Sequence, residues 1–186
     1  MNESNNNEII FSTIKESKIF SFSHKNLRKL SPEIGLLHKL RYLDLQYNLL
    51  TELPSEIWQC PLIVLSISYN KLGNLPQGIS KCSKLEALYL SNNEITDLPK
   101  DIWQCFRLQI LNLTNNKLKT LPEGMDKCTG LKQLLLSEND LQSLPPSEKF
   151  LECQLLQEIY IRNNPIPKEE KNKLKKELDP YLIIKI

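Results

Sequence analysis

Five cysteines and two histidines are the residues of this chain best suited to chemistry. A zinc site needs cysteines in close pairs such as C-x-x-C, but here successive cysteines lie 22, 23, 23 and 25 residues apart. A nucleophilic cysteine needs a neighbouring base, and both histidines precede every cysteine. The spacing instead predicts a ladder of small, buried apolar side chains, with an occasional disulfide disfavoured in a reducing compartment. The cysteines are Cys60, Cys82, Cys105, Cys128 and Cys153.

Other chemical signatures are missing from the sequence. With five glycines in 186 residues there is no glycine-rich phosphate loop, and neither a G-x-S-x-G nor a metal-spaced cluster occurs. The net charge of +2 comes without a basic run for nucleic acid, and no stretch is long enough to span a membrane. We therefore predict a non-enzyme with no cofactor, no metal, no small-molecule substrate, no nucleic-acid partner and no membrane insertion. The polar start, Met1 to Asn7, has no signal-peptide pattern and predicts a cytoplasmic protein.

A repeated phrase must position whatever function the chain has. It reads Leu-x-x-Leu-x-Leu-x-x-Asn-x-Leu with conservative changes, and a period of 22 to 25 residues is typical of a solenoid. Its alternating apolar residues predict one short strand per unit. The asparagine is expected to bind backbone groups at the turn, as a structural rather than a functional residue. The six units begin at Leu40, Leu62, Leu85, Leu108, Leu131 and Leu156, and their asparagines are Asn48, Asn70, Asn93, Asn116, Asn139 and Asn164.

The second half of each unit carries another recurring feature, which identifies a subclass of the repeat. A Leu-Pro pair follows each of the first five phrases, and an isoleucine or Met125 follows the first four prolines after three residues. From about residue 17 to 186 the chain resembles the leucine-rich repeat family, in a Leu-Pro-x-x-Ile subclass found in Ras-suppressor-like scaffolds and small bacterial proteins. The resemblance implies an α/β repeat solenoid. It has a curved parallel sheet on the concave side, short helical turns and extended segments on the convex side, and helical caps at both ends.

Three segments are expected along the chain. Residues 1–16 form an N-terminal tail and capping helix carrying Ile9, Ile10 and Ile14. Residues 17–167 form about seven solenoid units, the first degenerate, and residues 168–186 form a cap of one helix and a final strand. The unit that begins at Leu131 is two residues longer than its neighbours. We expect one helical turn there, with Ser147 as its cap.

The strand residues between the inward leucines are predicted to form the binding surface. Five of the six tyrosines fall there, among apolar residues, and tyrosine is enriched at interfaces; the bland alternative is that strands simply favour tyrosine. The alternation also predicts that Ser68 and Ala87 point to the same outward face. The predicted partner-binding residues are Tyr42, Asp44, Tyr47, Val64, Ser66, Tyr69, Tyr89, Asn92, Ile110, Asn112, Leu135 and Tyr160.

Two tryptophans fall outside this face, in near-identical phrases on the convex side. We expect Trp58 and Trp103 each to pack on a neighbouring turn, the alternative being a second contact surface.

A protein partner on the concave face is the resulting functional prediction. The chain is expected to be a monomeric, non-enzymatic protein–protein interaction module. Resemblance to Ras-suppressor-like scaffolds implies a signalling scaffold or a regulator in a small-GTPase pathway. The alternative is a secreted or surface-displayed protein for adhesion or host interaction.

Overall fold

Eight parallel strands form one open sheet, in the order of the chain. The computed structural model describes residues 15–178 and 182–186. Each strand has three residues, because the alternation of two outward residues with one inward apolar residue lasts only that long before the chain turns. The strands are β1 Ile19–Ser21, β2 Tyr42–Asp44, β3 Val64–Ser66, β4 Ala87–Tyr89, β5 Ile110–Asn112, β6 Gln133–Leu135, β7 Glu158–Tyr160 and β8 Ile183–Lys185.

The register between strands aligns every repeat. Leu43 pairs with Leu65, and Leu65 with Leu88, so equivalent leucines stack in a column through the molecule. From β2 to β7 the central strand residues are at most 2% exposed, and together with the leucines before and after them they make one continuous core. Because no unit buries its apolar side alone, stability comes from stacking, as in other solenoids.

Single helical turns return the chain along the convex side. Prolines in each return segment exclude a longer helix, and the turns close with an N–H to C=O bond such as Cys60 N to Ile57 O. These short turns confirm the expected thin convex layer. They are the 3₁₀ segments η1 Pro32–Leu36, η2 Ser55–Gln59, η3 Ile79–Lys81, η4 Ile102–Gln104 and η5 Met125–Lys127.

Two α-helices occur near the C-terminal end, α1 Ser147–Leu151 and α2 Lys168–Glu177. The helical turn expected in the longer unit is therefore present, but its predicted cap is wrong. Ser147 is the first helical residue and lies buried, and its Oγ donates to a carboxylate oxygen of Glu177 instead of accepting from the helix. Leu174 of α2 is buried against the core, as its position in the sequence predicts.

The asparagines form the predicted ladder. Nδ2 of Asn93 donates to the carbonyl oxygens of Ile67 and Leu90, each at 3.0 Å, and its Oδ1 accepts from Leu72 N at 3.0 Å. One side chain therefore ties its own turn to the preceding unit. The same pattern recurs at each of the other five asparagines, all of which are at most 8% exposed.

The cysteines and tryptophans also pack as predicted. All five thiols are free and buried. Trp58 and Trp103 are 1% exposed, and their indole N–H groups donate to the carbonyls of Pro76 and Pro122 in the following unit. Since the indoles are covered, they do not provide the second contact surface that the sequence left open.

Some expectations fall outside the described residues. Ile9, Ile10 and Ile14 of the predicted N-terminal helix are among them, as is Tyr181 in the predicted final strand. The division into residues 1–16, 17–167 and 168–186 stays a prediction. Neither α1 nor α2 is long enough and apolar enough to cross a bilayer, and they are the α-helices of residues 15–178 and 182–186.

Candidate functional site

The outward side of the sheet collects the twelve predicted residues in three rows, and we call it the concave sheet face. The strand register sets the first two rows, because outward residues at the first and third positions pair across neighbouring strands. A third row lies just beyond the strand ends. The first row holds Tyr42, Val64 and Ile110; the second holds Asp44, Ser66, Tyr89, Asn112, Leu135 and Tyr160; the third holds Tyr47, Tyr69 and Asn92.

Two other residues assigned to this face are not available on it. Ala87 is 7% exposed and Ser68 is 4% exposed. Ala87 has a side chain too short to rise above its neighbours. Ser68 is covered while its Oγ accepts a hydrogen bond from Ser91 Oγ at 2.9 Å. The alternation of residues in a strand predicts which way a side chain points, but not whether longer neighbouring side chains cover it.

An aromatic stack occupies the N-terminal end of the third row. The ring centroids of His24 and Tyr47 are 4.4 Å apart, and so are those of Tyr47 and Tyr69. The rings are within 10° of parallel because each residue has the same place in successive units. Tyr47 and Tyr69 remain 45% exposed, so the stack presents ring edges and hydroxyl groups to solvent.

The backbone beneath this stack is in the left-handed region. Tyr47 has φ of 54° and Tyr69 has φ of 60°, a conformation that costs an ordinary L-residue about 1–2 kcal/mol. It allows the N–H groups of Tyr47 and Asn48 to donate to Ser68 O and Tyr69 O in the next unit. The turn therefore requires a positive φ here, whatever side chain the position carries.

Three equivalent positions in later units carry asparagine, which suits the turn better, and a fourth carries Glu138, with φ of 59°. Asn92, Asn115 and Asn163 have φ between 54° and 58°, and asparagine tolerates this region more readily than tyrosine. The Nδ2 group of Asn115 donates to Asn92 Oδ1 at 2.7 Å, so the row continues as a polar amide pair. The row is thus aromatic at one end and polar at the other.

A carboxylate lies in the second row next to the aromatic end. Partial burial alone would raise the pKa of Asp44, but hydrogen bonds from Gln46 N and Ser21 Oγ lower it below the ordinary 3.8. The group is therefore ionised at neutral pH. It supplies a negative charge beside Tyr42, which is 41% exposed.

The phenol of Tyr47 shifts in the opposite direction. Partial desolvation, followed by the proximity of Tyr69, raises its pKa above the ordinary 10.0. The Tyr47 hydroxyl group consequently stays protonated at neutral pH, as a hydrogen-bond donor and acceptor.

His24 and the left-handed turn are two features of the site that the sequence pattern did not predict. The signal was the residue before each ladder asparagine, which is itself asparagine in three units, since asparagine recurs where φ is positive. His24 precedes Lys25, which stands where the ladder asparagine would be in the degenerate first unit. That replacement concealed the alignment of His24 with Tyr47.

The cysteine ladder offers no reactive thiol. Burial raises the pKa of Cys60, Cys105 and Cys128 to about 12, and that of Cys82 and Cys153 to about 11. A thiol reacts as its thiolate, so these groups are inert at neutral pH. Among the described residues, no group of three His, Cys, Asp or Glu side chains is arranged to hold a metal ion.

Comparison with protein families matches repeated segments of the chain. A family model described as "Leucine rich repeat" matches residues 60–118 and 106–166, and a second with the same description matches residues 39–60. No curated protein matches the chain.

Solved structures extend the similarity along the chain. A leucine-rich repeat protein from Leptospira interrogans is 29% identical, with a TM-score of 0.73, over 97% of this chain and 51% of that one. YopM from Yersinia enterocolitica is 26% identical, with a TM-score of 0.67, over 90% of this chain and 32% of YopM.

A third solved structure comes from a plant. It is the repeat ectodomain of an Arabidopsis thaliana membrane receptor kinase in complex with CASPARIAN STRIP INTEGRITY FACTOR 2. It is 30% identical, with a TM-score of 0.63, over 73% of this chain and 17% of that one. The chain thus spans about half the length of the Leptospira protein and a smaller share of the other two.

Proposed function

Because the chain belongs to the leucine-rich repeat family, we propose that it is a non-enzymatic interaction module that binds a protein partner on its concave sheet face. A fold of this kind is typically an interaction scaffold. The observation that carries the proposal is the aromatic stack. Tyr47 and Tyr69 keep a costly backbone conformation where asparagine serves other units, and they remain 45% exposed. Strained, exposed aromatic residues are concentrated at binding sites.

The rest of the face complements the stack. Val64, Ile110 and Leu135 add partly exposed apolar surface to the first and second rows, and Asp44 adds a charge that selects among partners. Tyrosine offers a large contact area with a polar tip and little rotamer freedom to lose. The Arabidopsis ectodomain was solved with a bound factor, and we extend polypeptide binding to this chain as part of the proposal.

The repeat subclass and the free cysteines point to a biological setting. We propose a monomeric signalling scaffold or small-GTPase-pathway regulator in the cytosol, on the basis of the Leu-Pro-x-x-Ile pattern. The five buried free thiols suit a reducing compartment, where cysteines stay reduced.

A secreted or surface-displayed protein for adhesion or host interaction is the second candidate. The likeness to the ectodomain of a plant membrane receptor kinase favours it. Cell fractionation distinguishes the two, since the cytosolic proposal expects the native protein in the soluble intracellular fraction with all five thiols reduced. Recovery mainly from the medium or the cell surface would favour the second candidate.

The binding face is tested by replacing the two tyrosines with the residue that other units use there. The native protein and the double variant Tyr47→Asn, Tyr69→Asn are used to capture partners, and affinities are then measured with each purified partner. We expect the double variant to stay folded and to bind at least about tenfold more weakly, as for interface hot spots.

Phe106 provides the matched control. It is an aromatic residue 64% exposed and outside the concave sheet face, directly after η4. The variant Phe106→Ser should bind with the native affinity. If the double tyrosine variant binds as tightly as the native protein, the concave assignment is wrong.

A further inference from the structure

A groove on the convex side lies between η5 and α1, away from the concave sheet face. Its volume is about 640 Å³, within the range of sites that bind small ligands or peptide side chains. Apolar residues make most of its walls, and polar residues lie at its rim. The apolar walls are Leu121, Pro122, Met125, Leu144, Pro145 and Pro146.

The leucines of this groove are less covered than their equivalents. Leu53, Leu75 and Leu98, which precede the first three repeat prolines, are 5–8% exposed. Leu121 and Leu144, in the same place in the next two units, are only partly buried. The solenoid therefore leaves apolar surface uncovered here that it covers in earlier units.

In earlier units, a side chain covers the equivalent gap between neighbouring convex turns. The indoles of Trp58 and Trp103 each lie against the next unit and donate to a proline carbonyl, Pro76 O at 3.0 Å and Pro122 O at 2.8 Å. At Ser80, between them, the carboxylate of Asp101 closes the interface by accepting from Ser80 N at 2.9 Å. At the groove, the equivalent residue is Asp126, which forms an ion pair with Lys149 of α1 at 3.1 Å. That ion pair joins η5 to α1, but Leu121 and Leu144 beside it stay only partly buried.

The backbone carbonyl of Pro145, the next proline in the series of Leu-Pro pairs, is available as a hydrogen-bond acceptor. Among the residues that the structure describes, none donates a hydrogen bond to Pro145 O, and Lys149 N donates to Pro146 O. The wall is held in place from behind by α2. Glu170 accepts from Leu144 N, and Glu177 accepts from Ser147 Oγ, so the groove is preformed.

Charge determines which occupant fits. Asp126 pairs with Lys149 at 3.1 Å, which leaves Glu123 as an exposed carboxylate on the rim without a cation in salt-bridge range in the described chain. A carboxylate of a partner, placed in the groove as Asp101 is placed in the earlier interface, would lie near two negative groups, Asp126 and Glu123. An indole with a basic neighbour fits better. Its ring can pack on the proline walls, its N–H can donate to the free Pro145 carbonyl, and the basic neighbour can lie near the Glu123 carboxylate.

We propose that this groove binds a tryptophan side chain of a protein partner, flanked in the partner by basic residues. The indole packs on Leu144 and Pro145 and donates its N–H to Pro145 O, as Trp103 does to Pro122 O. The basic neighbours face Glu123. The site is separate from the aromatic stack on the concave sheet face, so either can fail without the other.

Met125 makes the proposal directly measurable. The chain has two methionines, Met1 and Met125, so methyl-¹³C methionine labelling gives one signal on the groove wall and one reference signal. The probe is the peptide acetyl-Lys-Trp-Lys-amide, with a Kd expected on the order of 1 mM for a single anchored side chain. Binding is expected to shift the Met125 signal saturably and to leave Met1 unchanged.

Control peptides separate the hydrogen bond of the indole N–H from the preference for basic neighbours. Replacing tryptophan with 1-methyltryptophan removes the N–H donor and should weaken binding about five- to tenfold. The peptide acetyl-Glu-Trp-Glu-amide should bind about fivefold more weakly because of Glu123. In the variant Glu123→Lys, which changes an exposed rim residue, that preference should reverse.

Matched substitutions test the shape of the groove through thermal stability and through the Met125 response to the peptide. Asp126→Trp provides an indole from the chain itself, so it should keep or raise Tm and abolish the Met125 response. Ser80→Trp places the same residue at an interface already closed by Asp101, and should lower Tm. No saturable Met125 shift up to about 10 mM peptide, or an equal loss of Tm in the two variants, would overturn the proposal.

Discussion

Tyr47 and Tyr69 stand at positions where the backbone itself prefers another residue. Their φ angles of 54° and 60° are required by the turn, and asparagine occupies the equivalent place in three units. The stacked rings compensate in part, since an aromatic pair contributes about 0.5–1.5 kcal/mol beyond area burial. What remains is an exposed aromatic edge whose retention is best explained by binding.

Substitutions at Tyr69 separate strain from stacking. Tyr69→Asn should change the free energy of unfolding by less than about 1 kcal/mol, because relief of left-handed strain offsets the lost stacking. Tyr69→Val should lower it by roughly 2 kcal/mol, since a β-branched residue tolerates positive φ poorly. Urea unfolding of both variants measures the difference, and equal destabilisation by both would contradict this reading of the turn.

Asn93 is the clearest structural residue. Its side chain satisfies Leu72 N, Ile67 O and Leu90 O, which are buried in the core of the turn. Asn93→Ala should lower the free energy of unfolding by about 1–3 kcal/mol, because these groups lose their partners.

The matched control is Asn172→Ala on the exposed surface of α2. Alanine is the better helix former, so Tm should be unchanged or slightly higher. An Asn93→Ala protein that melts at the native temperature would show that the ladder does not stabilise the turns.

At the scale of the element, the cysteine ladder makes stability depend on pH. Burial raises the folded pKa of the five thiols from 9.0 to about 11 or 12. A raised folded pKa means that the contribution is complete below pH 9 and is lost as pH rises towards 11 or 12, because the unfolded chain then ionises first.

The free energy of unfolding in urea should therefore fall between pH 9 and pH 11. The fall should be shallower in a variant with Cys82→Ala and Cys105→Ala, which has two fewer buried thiols. At pH 8 the native thiols should resist a thiol reagent, and all five should react in denaturant. Rapid reaction of the native protein would contradict burial of the ladder.

The C-terminal helix is held to the solenoid by specific carboxylates. Glu170 accepts from Leu144 N, whereas the adjacent Glu169 is exposed. Glu170→Ala should lower the free energy of unfolding by about 1–2 kcal/mol because Leu144 N loses its acceptor. Glu169→Ala serves as the control and should match the native protein within about 0.5 kcal/mol, and thermal melts of both variants decide between them.

The repeat phrase was enough to predict most elements, because strand, asparagine and cysteine each recur at fixed offsets. The details that it did not predict depend on neighbours in space. Ser147 was expected to cap its own helix, yet Glu177, thirty residues later, competes for its hydroxyl. Ala87 and Ser68 point outward by alternation but are covered by longer side chains.

At the scale of the whole molecule, stacking of units produces a surface that no single unit has. The same register that aligns Leu43 with Leu65 also brings His24, Tyr47 and Tyr69 into one stack. The sequence was sufficient to place the twelve candidate residues on one face. It did not indicate that two of the tyrosines are strained, because φ is a property of the folded turn.

On the convex side, too, the stacking of units determines which apolar surface stays exposed. Indoles or a carboxylate close three successive interfaces there, whereas the fourth is joined by the Asp126–Lys149 ion pair and leaves Leu121 and Leu144 only partly buried. The two faces thus expose apolar surface at different ends of the solenoid, the aromatic stack in the first three units and the groove beside the C-terminal cap.

Site-specific photo-crosslinking tests the central claim most directly. A photoreactive phenylalanine analogue is placed at Tyr69 in one protein and at Phe106 in another, and each is irradiated with the purified partner. The account predicts a covalent complex from position 69 and none from position 106. A complex from position 106 alone would contradict binding on the concave sheet face.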